Sequence, residues 1–288
     1  MHVFVTGATG WVGSEVVKDL IDAGYLVTGL ARSEDKAQAL AATGAKVLRA
    51  TLDDVGALQQ AAESADAIIH TAFNHDFSKF IDHCEQDRQV IQRLGDVLKG
   101  SSRPLLVTSG LSGLPRGATE ADLPSVASPR KSEAAARALV AQGVRAATVR
   151  LAPSVHGRGD HGFVAILARM AQEKGVSAYI GDGQNCWSGV YRMDAARLYR
   201  LALEEGVTQS VYHAVAEEAV PFKMIAEAIG RRFGLPVESR GKEHFGWFAN
   251  MAGADMAVSS KQTRESLGWA PGGPELLVDL QQANYFEG

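Results

Sequence analysis

Short apolar runs alternate along the chain with segments whose apolar residues recur at helical spacing. The runs are rich in Val, Ile, Leu and Ala, which is typical of strands buried in a parallel sheet. Seven strands are predicted, at residues 2–6, 25–30, 46–50, 65–70, 104–110, 144–151 and 211–214. Because the intervening segments have the period of amphipathic helices, the pattern predicts an α/β fold with a doubly wound parallel sheet of about seven strands.

Amphipathic segments fill the intervals between the strands and continue beyond the last of them. In the first segment, Val16, Val17 and Leu20 share one face, and Gly24 can end the helix. The other helices are predicted at about residues 34–43, 55–63, 79–99, 130–142, 163–174, 193–205, 221–233, 243–253 and 260–268. Since several of them follow the last predicted strand, a smaller C-terminal lobe is expected beside the sheet.

Three glycines, Gly7, Gly10 and Gly13, separate the first strand from the first helix. Gly7 permits a tight turn, Gly10 lets a phosphate approach the backbone, and Gly13 lets the helix pack close to the strand. A strand, a glycine turn and a helix in this order bring backbone N–H groups and the positive helix end to one point. The sequence therefore predicts a pyrophosphate site for a dinucleotide in a Rossmann-type sheet.

The stretch Thr6–Gly13 reads T-G-A-T-G-W-V-G. It resembles the T-G-A-T-G-x-[IV]-G signature of extended and atypical short-chain dehydrogenases/reductases, the group that includes the nucleotide-sugar epimerases. The resemblance extends over most of the chain and is strongest in residues 1–155. It implies a cofactor-binding Rossmann domain of residues 1–155 and about 188–215. A small lobe of about residues 156–187 and 216–288 would cover the substrate.

The end of the second strand distinguishes NAD from NADP. An Asp or Glu there binds the ribose 2′-hydroxyl of NAD, whereas an Arg suits the 2′-phosphate of NADP. Ala31 and Arg32 occupy this position, and Ser33 offers a further donor. Glu34 and Asp35 follow at a place suited to capping the next helix. NADP(H) is therefore expected in preference to NAD.

Further contacts with the dinucleotide are implied by the resemblance. Leu52 and Asp53 match residues that lie against the adenine. Thr71–Phe73 lies where the nicotinamide ribose approaches, and Pro153–Val155 belongs to a Pro-x-x-x-Gly turn beside the nicotinamide amide. The expected cofactor-binding residues are Thr6, Gly7, Thr9, Gly10, Trp11, Val12, Gly13, Arg32, Ser33, Leu52, Asp53, Thr71, Ala72, Phe73, Pro153, Ser154 and Val155.

The resemblance supplies the catalytic residues only in part. Ser109, at the end of the fifth strand, matches a serine that donates a hydrogen bond to the substrate oxygen, and Ser112 is close by. The alternative is a serine held by the backbone of its own turn. The family also uses a Tyr as acid or base and, four residues later, a Lys that holds the nicotinamide ribose. Lys131 matches the Lys, but Ala127 stands at the Tyr position.

No tyrosine of this chain has a lysine four residues later. In addition, Pro129 lies between the two family positions, and the residue before a proline avoids helical backbone angles. Ser128 is therefore expected to cap the helix, with Pro129 as its first residue and Lys131 in its first turn.

His156 and Tyr191 are the candidates to replace the missing tyrosine as proton donor. Both follow strands and adjoin glycine-rich loops that are expected to form the wall of the substrate pocket, together with His161 and Trp187. The alternative is that these side chains only line or pack the pocket. The loop at residues 74–77 is expected to border the substrate.

The composition and net charge limit the classes of binding partner that are expected. The 288 residues carry a net charge of −4, with 46% hydrophobic and 22% charged residues, so nothing favours nucleic acid or a membrane surface. No apolar run reaches the roughly 18 residues of a membrane span, no signal peptide is apparent, and a cytoplasmic location is expected. Cys84 and Cys186 make no disulfide framework, and no metal site is predicted. In the family, the helices at 79–99 and 130–142 pair across a dimer axis, which implies a homodimer.

Three kinds of function fit these observations. The first is an NADP-dependent oxidoreductase of the atypical short-chain type that reduces a small carbonyl or related acceptor, slowed about 10²–10⁴-fold if no acid is positioned. The second is a cofactor-sensing protein that has lost catalysis. Epimerase or dehydratase chemistry is the third, and it is disfavoured because it depends on the missing tyrosine. The pocket loops have no basic cluster for a nucleotide sugar, so a small, mostly apolar substrate is expected.

Overall fold

The computed structural model describes residues 1–286. Its strands are β1 (His2–Thr6), β2 (Leu26–Ala31), β3 (Lys46–Arg49), β4 (Ala67–His70), β5 (Leu105–Gly110), β6 (Ala146–Leu151), β7 (Ser154–His156), β8 (Ser177–Tyr179), β9 (Cys186–Tyr191), β10 (Val211–Ala214), β11 (Glu217–Pro221) and β12 (Val237–Ser239). Its α-helices are α1 (Trp11–Asp22), α2 (Glu34–Ala41), α3 (Val55–Glu63), α4 (Phe80–Leu98), α5 (Ser132–Val140), α6 (Phe163–Lys174), α7 (Arg192–Glu204), α8 (Phe222–Phe233), α9 (Ala249–Ala252), α10 (Lys261–Leu267) and α11 (Leu276–Asp279). Across residues 1–286, none of the helices is both long and apolar enough to cross a membrane.

Seven parallel strands form the central sheet in the order β10-β6-β5-β4-β1-β2-β3. Val3 of β1 lies opposite Val27 of β2 on one side and Ala67 of β4 on the other. The chain runs outwards from β1 to β3 and then returns to β4, so the direction of winding reverses between β1 and β4. Ligands of such sheets bind outside the carboxyl ends of the strands at this reversal. The predicted doubly wound sheet of seven strands is confirmed.

Buried side chains cover both faces of the sheet. Val3 and Val5 belong to one apolar cluster, and Phe4 points into the other. The first cluster continues into the C-terminal part, where the rings of Trp187 and Phe222 pack edge to face with centroids 5.0 Å apart. The C-terminal part therefore shares a core with the sheet, and the expected domain boundaries stay a prediction.

Two small sheets belong to the C-terminal part of the chain. β11, β9 and β7 form one of them, and β12 pairs with β8 in the other. The helix predicted at 243–253 is instead a 3₁₀ helix, Lys242–Phe248, followed by α9. Gly246, inside the 3₁₀ segment, kinks it with φ 52° and ψ −127°, backbone angles that an α-helix does not contain. The kink places Trp247 in an exposed position.

Helix α5 begins later than the sequence predicts. Pro129 is the predicted first residue, but the helix starts at Ser132 with Lys131 as its N-cap. The backbone N–H of Ser128 closes a turn by donating to the carbonyl oxygen of Ser125 over 3.0 Å. Because that turn uses the backbone that would cap an earlier helix, the chain reaches helical angles only after it.

Candidate active site

An open cleft of about 1590 Å³ lies at the carboxyl ends of the strands. The glycine turn after β1 lines it, as do the segments that follow β2, β4, β5 and β6. A second wall comes from α6 and from residues 247–256. Since ordinary ligand pockets measure roughly 300–1,000 Å³, the cleft has room for a dinucleotide and a small second molecule.

The glycine turn is built for close approach of the backbone. Gly7 has φ +67°, and a Cβ atom there would lie 2.6 Å from the backbone nitrogen of Ala72. A Cβ atom at Gly13 would lie 2.1 Å from the carbonyl oxygen of Gly7. Gly10 caps α1, whose first turn contains no acidic residue. The free N–H groups at this helix end therefore suit an anion such as a pyrophosphate.

Most residues of the predicted glycine-turn site line the cleft, namely Gly7, Thr9, Gly10, Trp11, Val12 and Gly13. Thr6 does not, because its buried hydroxyl bonds to Nδ1 of His70 over 2.7 Å. Trp11 Nε1 donates to the carbonyl oxygen of Val155 over 2.7 Å. This bond joins the turn after β1 to the turn after β6.

Arg32 lines the cleft at the end of β2, together with Lys36 from the first turn of α2. Lys36 is not among the predicted site residues, although its spacing of four residues from Arg32 is a usable signal. Ser33 is exposed at the N-cap of α2 and does not line the cleft, so its contact with the cofactor stays a prediction. Glu34 is bound by Arg49, whose hydrogen bond is the main cause that lowers the pKa of this carboxyl. Two cations and no free acid therefore face the predicted ribose position.

The expected adenine and ribose contacts also lie on the cleft. Leu52 and Asp53 line it, and Asp53 accepts a hydrogen bond of 2.7 Å from Gln86. Thr71, Ala72 and Phe73 line it at the end of β4. These residues form one continuous wall with the glycine turn.

The turn after β6 contains an unsatisfied donor. Pro153, Ser154 and Val155 all line the cleft. The Ser154 hydroxyl is buried and has no hydrogen-bond partner among the described residues. Because buried polar atoms normally have partners, this hydroxyl fits a polar group of a bound molecule, as the resemblance implies for the nicotinamide amide.

Ser109 lies at the cleft wall near the end of β5 and is partly buried. Its side chain makes no hydrogen bond within residues 1–286, so the alternative of a serine held by its own turn is not what the structure contains. Ser112 lines the cleft as well. The hydroxyl of Ser109 is therefore free to donate to a substrate oxygen.

His156 is a structural residue. Its ring is fully buried, with Nδ1 2.7 Å from Asp279 and Nε2 3.8 Å from Glu217. It lies away from the cleft, and its predicted role as proton donor is wrong because no substrate could reach the ring. The sequence could not reveal this, since Asp279 is 123 positions further along the chain.

Tyr191 and Trp187 are also displaced from their predicted places. Tyr191 packs against His156, with ring centroids 5.8 Å apart, and lies outside the cleft lining. Burial raises the pKa of its hydroxyl, with a further contribution from the charge of Asp279. Trp187 is fully buried in the core. Of the four predicted pocket residues only His161 lines the cleft, edge-on to Trp11.

Aromatic side chains form the outer wall of the cleft, and most of them are not among the predicted site residues. The rings of Phe77 and Trp247 stack with centroids 5.1 Å apart. Further rings on this wall are Phe73, His75, Phe80 and Phe163. The approach of Phe77 from the β4 loop to Trp247 from the 3₁₀ helix depends on the tertiary fold, and sequence spacing cannot show it.

His75 is the histidine of this aromatic wall. The ring is exposed to the open cleft, yet the neighbouring Phe73 and Phe77 rings shield it from bulk water. Desolvation lowers its pKa below the ordinary value, and the positive charge of Arg130 lowers it further. The ring is therefore mostly neutral near pH 7.

The match to known families decides the relationship. Residues 7–180 match the model of a family described as NAD(P)H-binding. The chain belongs to this NAD(P)H-binding family.

Two relatives match this chain over almost its full length. The uncharacterized protein C2A9.02 of Schizosaccharomyces pombe is 45% identical over 99% of this chain and 100% of its own length. The uncharacterized protein YLL056C of Saccharomyces cerevisiae is 41% identical over 99% of each.

A solved structure shares the fold of this NAD(P)H-binding chain. It is a UDP-glucuronic acid 4-epimerase variant from Bacillus cereus in complex with a fluorinated UDP-sugar and NAD. Its TM-score is 0.76 at 17% identity, covering 99% of this chain and 98% of that one. The expected membership of an NAD(P)-binding family is confirmed by the family match, and the structural likeness confirms the expected fold, which this chain shares with an epimerase.

Proposed function

We propose that this chain is an NADP(H)-dependent oxidoreductase that reduces a small, mostly apolar carbonyl compound. The observation that carries the proposal is the common cleft of the glycine turn, the Arg32–Lys36 pair and the free hydroxyl of Ser109. The glycine turn would hold the pyrophosphate, and the unpaired Ser154 hydroxyl fits the nicotinamide end.

The choice of NADP(H) rests on charge. Arg32 and Lys36 both face the cleft where the adenine-side ribose is expected, and Glu34 is occupied by Arg49. A 2′-phosphate would meet two cations, whereas a bare 2′-hydroxyl would find no carboxylate to accept its hydrogen bond. We expect the double variant Arg32→Ala/Lys36→Ala to weaken NADPH binding about 10- to 100-fold and NADH binding by less than about twofold.

Calorimetry with both dinucleotides measures this difference. Lys18→Ala is the matched control, since Lys18 is an exposed cation on α1 outside the cleft. Equal weakening of NADPH and NADH binding by the double variant would contradict the assignment of the two cations to the 2′-phosphate.

The chemistry is assigned to side chains that line the cleft. When bound, the nicotinamide supplies the hydride. The Ser109 hydroxyl donates a hydrogen bond to the substrate oxygen, and water in the open cleft supplies the proton that completes the alcohol. The mostly neutral ring of His75 lines the same cleft and can accept a proton at one nitrogen while it donates one from the other, so it is the proposed relay.

The aromatic wall supports an apolar substrate. Phe77, Phe163 and Trp247 offer ring faces and edges to a bound molecule. Burial of an apolar group against such rings is favourable, whereas a sugar would leave hydroxyl groups without partners there. A small aldehyde or ketone fits this wall better than a nucleotide sugar does.

The deciding experiment follows oxidation of NADPH and of NADH against a panel of aldehydes, ketones and UDP-sugars. We expect turnover of small apolar carbonyl compounds, a loss of about 10²–10³ in kcat for Ser109→Ala, and an altered pH profile for His75→Asn. Interconversion of UDP-sugars, which consumes no reduced cofactor overall and is therefore followed by chromatography, would favour an epimerase if no panel member oxidises NADPH or NADH.

A cofactor-sensing protein is the second candidate. The observation in its favour is Ala127, which stands at the family's tyrosine position. Tight NADPH binding without turnover of any panel member, and with Ser109→Ala unchanged in binding, would support the sensor and contradict the oxidoreductase.

A further inference from the structure

Arg130 lies at the junction of the cofactor wall and the catalytic wall of the cleft. Its guanidinium carbon lies 4.2 Å from the ring centroid of Phe73, which follows β4. Its Nη2 donates to the carbonyl oxygen of Thr108, the residue before Ser109, over 3.1 Å. Since the nicotinamide-side ribose is expected against the turn after β4, Arg130 is a cation beside that ribose.

We propose that Arg130, and not Lys131, is the cation that binds the hydroxyl groups of the nicotinamide-side ribose. The assignment rests on the proposed function, because it presumes that the dinucleotide lies along this cleft. Nη1 of Arg130 has no hydrogen-bond partner in residues 1–286. Its two N–H groups are therefore available as donors to a ribose.

Lys131 also lines the cleft, but its ammonium group is engaged by the loop before α5. It caps α5, and its Nζ donates to the carbonyl oxygen of Val126 over 2.7 Å. This bond ties the ammonium group to the loop before the helix. Because α5 starts later than predicted, Arg130 takes the position beside the expected ribose that the family resemblance assigns to Lys131.

A buried hydrogen-bond chain fixes Arg130. Its Nε donates to the hydroxyl of Ser132 over 2.9 Å, and that hydroxyl donates to Asp87. Asp87 also meets Nε2 of His70 at 3.1 Å, and Nδ1 of His70 meets Thr6 at 2.7 Å. All members between Arg130 and the glycine turn are buried. Such a fully connected polar chain holds the guanidinium in one place.

Charge favours the same arrangement. Burial of Asp87 opposes its ionisation, but hydrogen bonds from His70 and Ser132 and the charge of Arg130 outweigh it and lower the pKa of this carboxyl. A carboxylate at one end of the Ser132 link and a guanidinium at the other stabilise each other. Ser132 and Asp87 are therefore positioning residues, and Arg130 is the residue that contacts the cofactor.

The test compares three ligands that differ only in their nicotinamide end: NADP⁺, 2′-phospho-ADP-ribose, which keeps the second ribose, and 2′-phosphoadenosine 5′-diphosphate, which keeps both phosphates but lacks that ribose. Calorimetry of Arg130→Met should show about 10- to 100-fold weaker binding of the first two ligands and unchanged binding of the third. Ser132→Ala should follow the same pattern with a smaller loss, because the guanidinium is only loosened. Arg130→Lys should recover part of the affinity, which covers the case of a poorly folded methionine variant.

Two further variants complete the design. Lys131→Met should leave all three affinities unchanged if its ammonium group only ties the loop. Arg93→Met, an exposed cation on α4, controls for loss of charge. Unchanged binding of NADP⁺ to a folded Arg130→Met variant, or a loss confined to Lys131→Met, would overturn the assignment. Failure of the wild-type protein to bind any of the three ligands would instead overturn the proposed function and this assignment with it.

Discussion

Gly13 shows how strictly single positions of the cleft are determined. An added Cβ there would meet the carbonyl oxygen of Gly7 at 2.1 Å, and neither backbone can move without opening the turn. We expect Gly13→Ala to destabilise the protein by about 1–3 kcal/mol and to abolish detectable NADPH binding in calorimetry.

Gly56 provides the matched control for this substitution. It is an exposed helical residue of α3 with nothing within 4 Å of an added Cβ. We expect Gly56→Ala to stabilise the protein by about 0.5–1 kcal/mol and to leave binding unchanged. A loss of binding in Gly56→Ala would show that calorimetry is reporting general damage.

His156 invites a test that separates stability from catalysis. Its removal leaves Asp279 as a buried carboxylate without its main partner, at a cost of about 3 kcal/mol. We therefore expect His156→Ala to lower Tm clearly while the folded variant keeps kcat within about twofold of wild type. A large fall in kcat with an unchanged Tm would restore the catalytic role first assigned to this ring.

Most residues predicted to contact the cofactor line the cleft, whereas the predicted proton donors His156 and Tyr191 do not, for a physical reason. The glycine turn, Arg32 and Thr71–Phe73 are determined by their place in a strand–turn–helix order that the sequence displays directly. Arg130 and His156 are determined by partners far along the chain, such as Thr108 and Asp279. Local pattern contains no information on such pairs, so the roles of Arg130 and Lys131 could not be told apart.

At the scale of elements, one buried ion pair joins α5 to β6. The guanidinium of Arg150 donates to both carboxylate oxygens of Glu133, over 2.8 and 2.7 Å, and both side chains are buried. The pair holds the helix that begins beside the active-site cleft. Removal of one partner would leave the other as an unpaired buried charge.

We expect Arg150→Met to destabilise the protein by about 3–5 kcal/mol, measured by urea unfolding. The double variant Glu133→Leu/Arg150→Met should lose less than Arg150→Met alone, because no unpaired carboxylate remains. A double variant that loses the sum of both single variants would show that the two residues act independently.

The element boundaries show where local rules fail. All seven strands of the central sheet were predicted from apolar runs, because a strand that is buried on both faces consists almost entirely of apolar residues. The start of α5 was wrong because a turn at 125–128 takes precedence over the capping preference before Pro129. The 3₁₀ segment at 242–248 was missed because one glycine changes its path.

At the scale of the whole molecule, His213 links stability to pH. Its Nε2 accepts from Arg150 over 2.9 Å, so the proton lies on Nδ1, which donates to Ser259 over 2.7 Å. Burial is the main cause that lowers the pKa of this ring; the hydrogen bond to Ser259 and the charges of Glu120 and Glu133 oppose the lowering without reversing it, and the charge of Arg150 adds to it. Protonation of His213 is therefore less favourable in the folded protein than in the unfolded chain.

The sign of the effect follows from linkage. Above the unfolded pKa of about 6.5 neither state binds the proton, and below it only the unfolded state does, until the lower folded pKa is reached. Stability should fall as pH decreases below about 6.5, by at most about 1.4 kcal/mol per pH unit for one proton. Thermal unfolding of wild type and His213→Gln between about pH 7.5 and 5.5 measures it, and equal slopes would contradict the assignment.

The homodimer implied by the family stays a prediction. The helices concerned are α4 and α5, whose exposed sides carry Ile81 and Val140 among mostly polar residues. Light scattering at several concentrations would decide between monomer and dimer.

The stacked pair of Trp247 and Phe77 has an optical consequence. Trp187 and Trp269 are fully buried, whereas Trp11 and Trp247 both line the cleft. Two of the four indoles thus face the place where a reduced nicotinamide, which absorbs light in the range of indole emission, would lie. The protein therefore carries its own fluorophores on the cleft lining, so the arrival of a ligand can be followed by quenching and energy transfer without any added label.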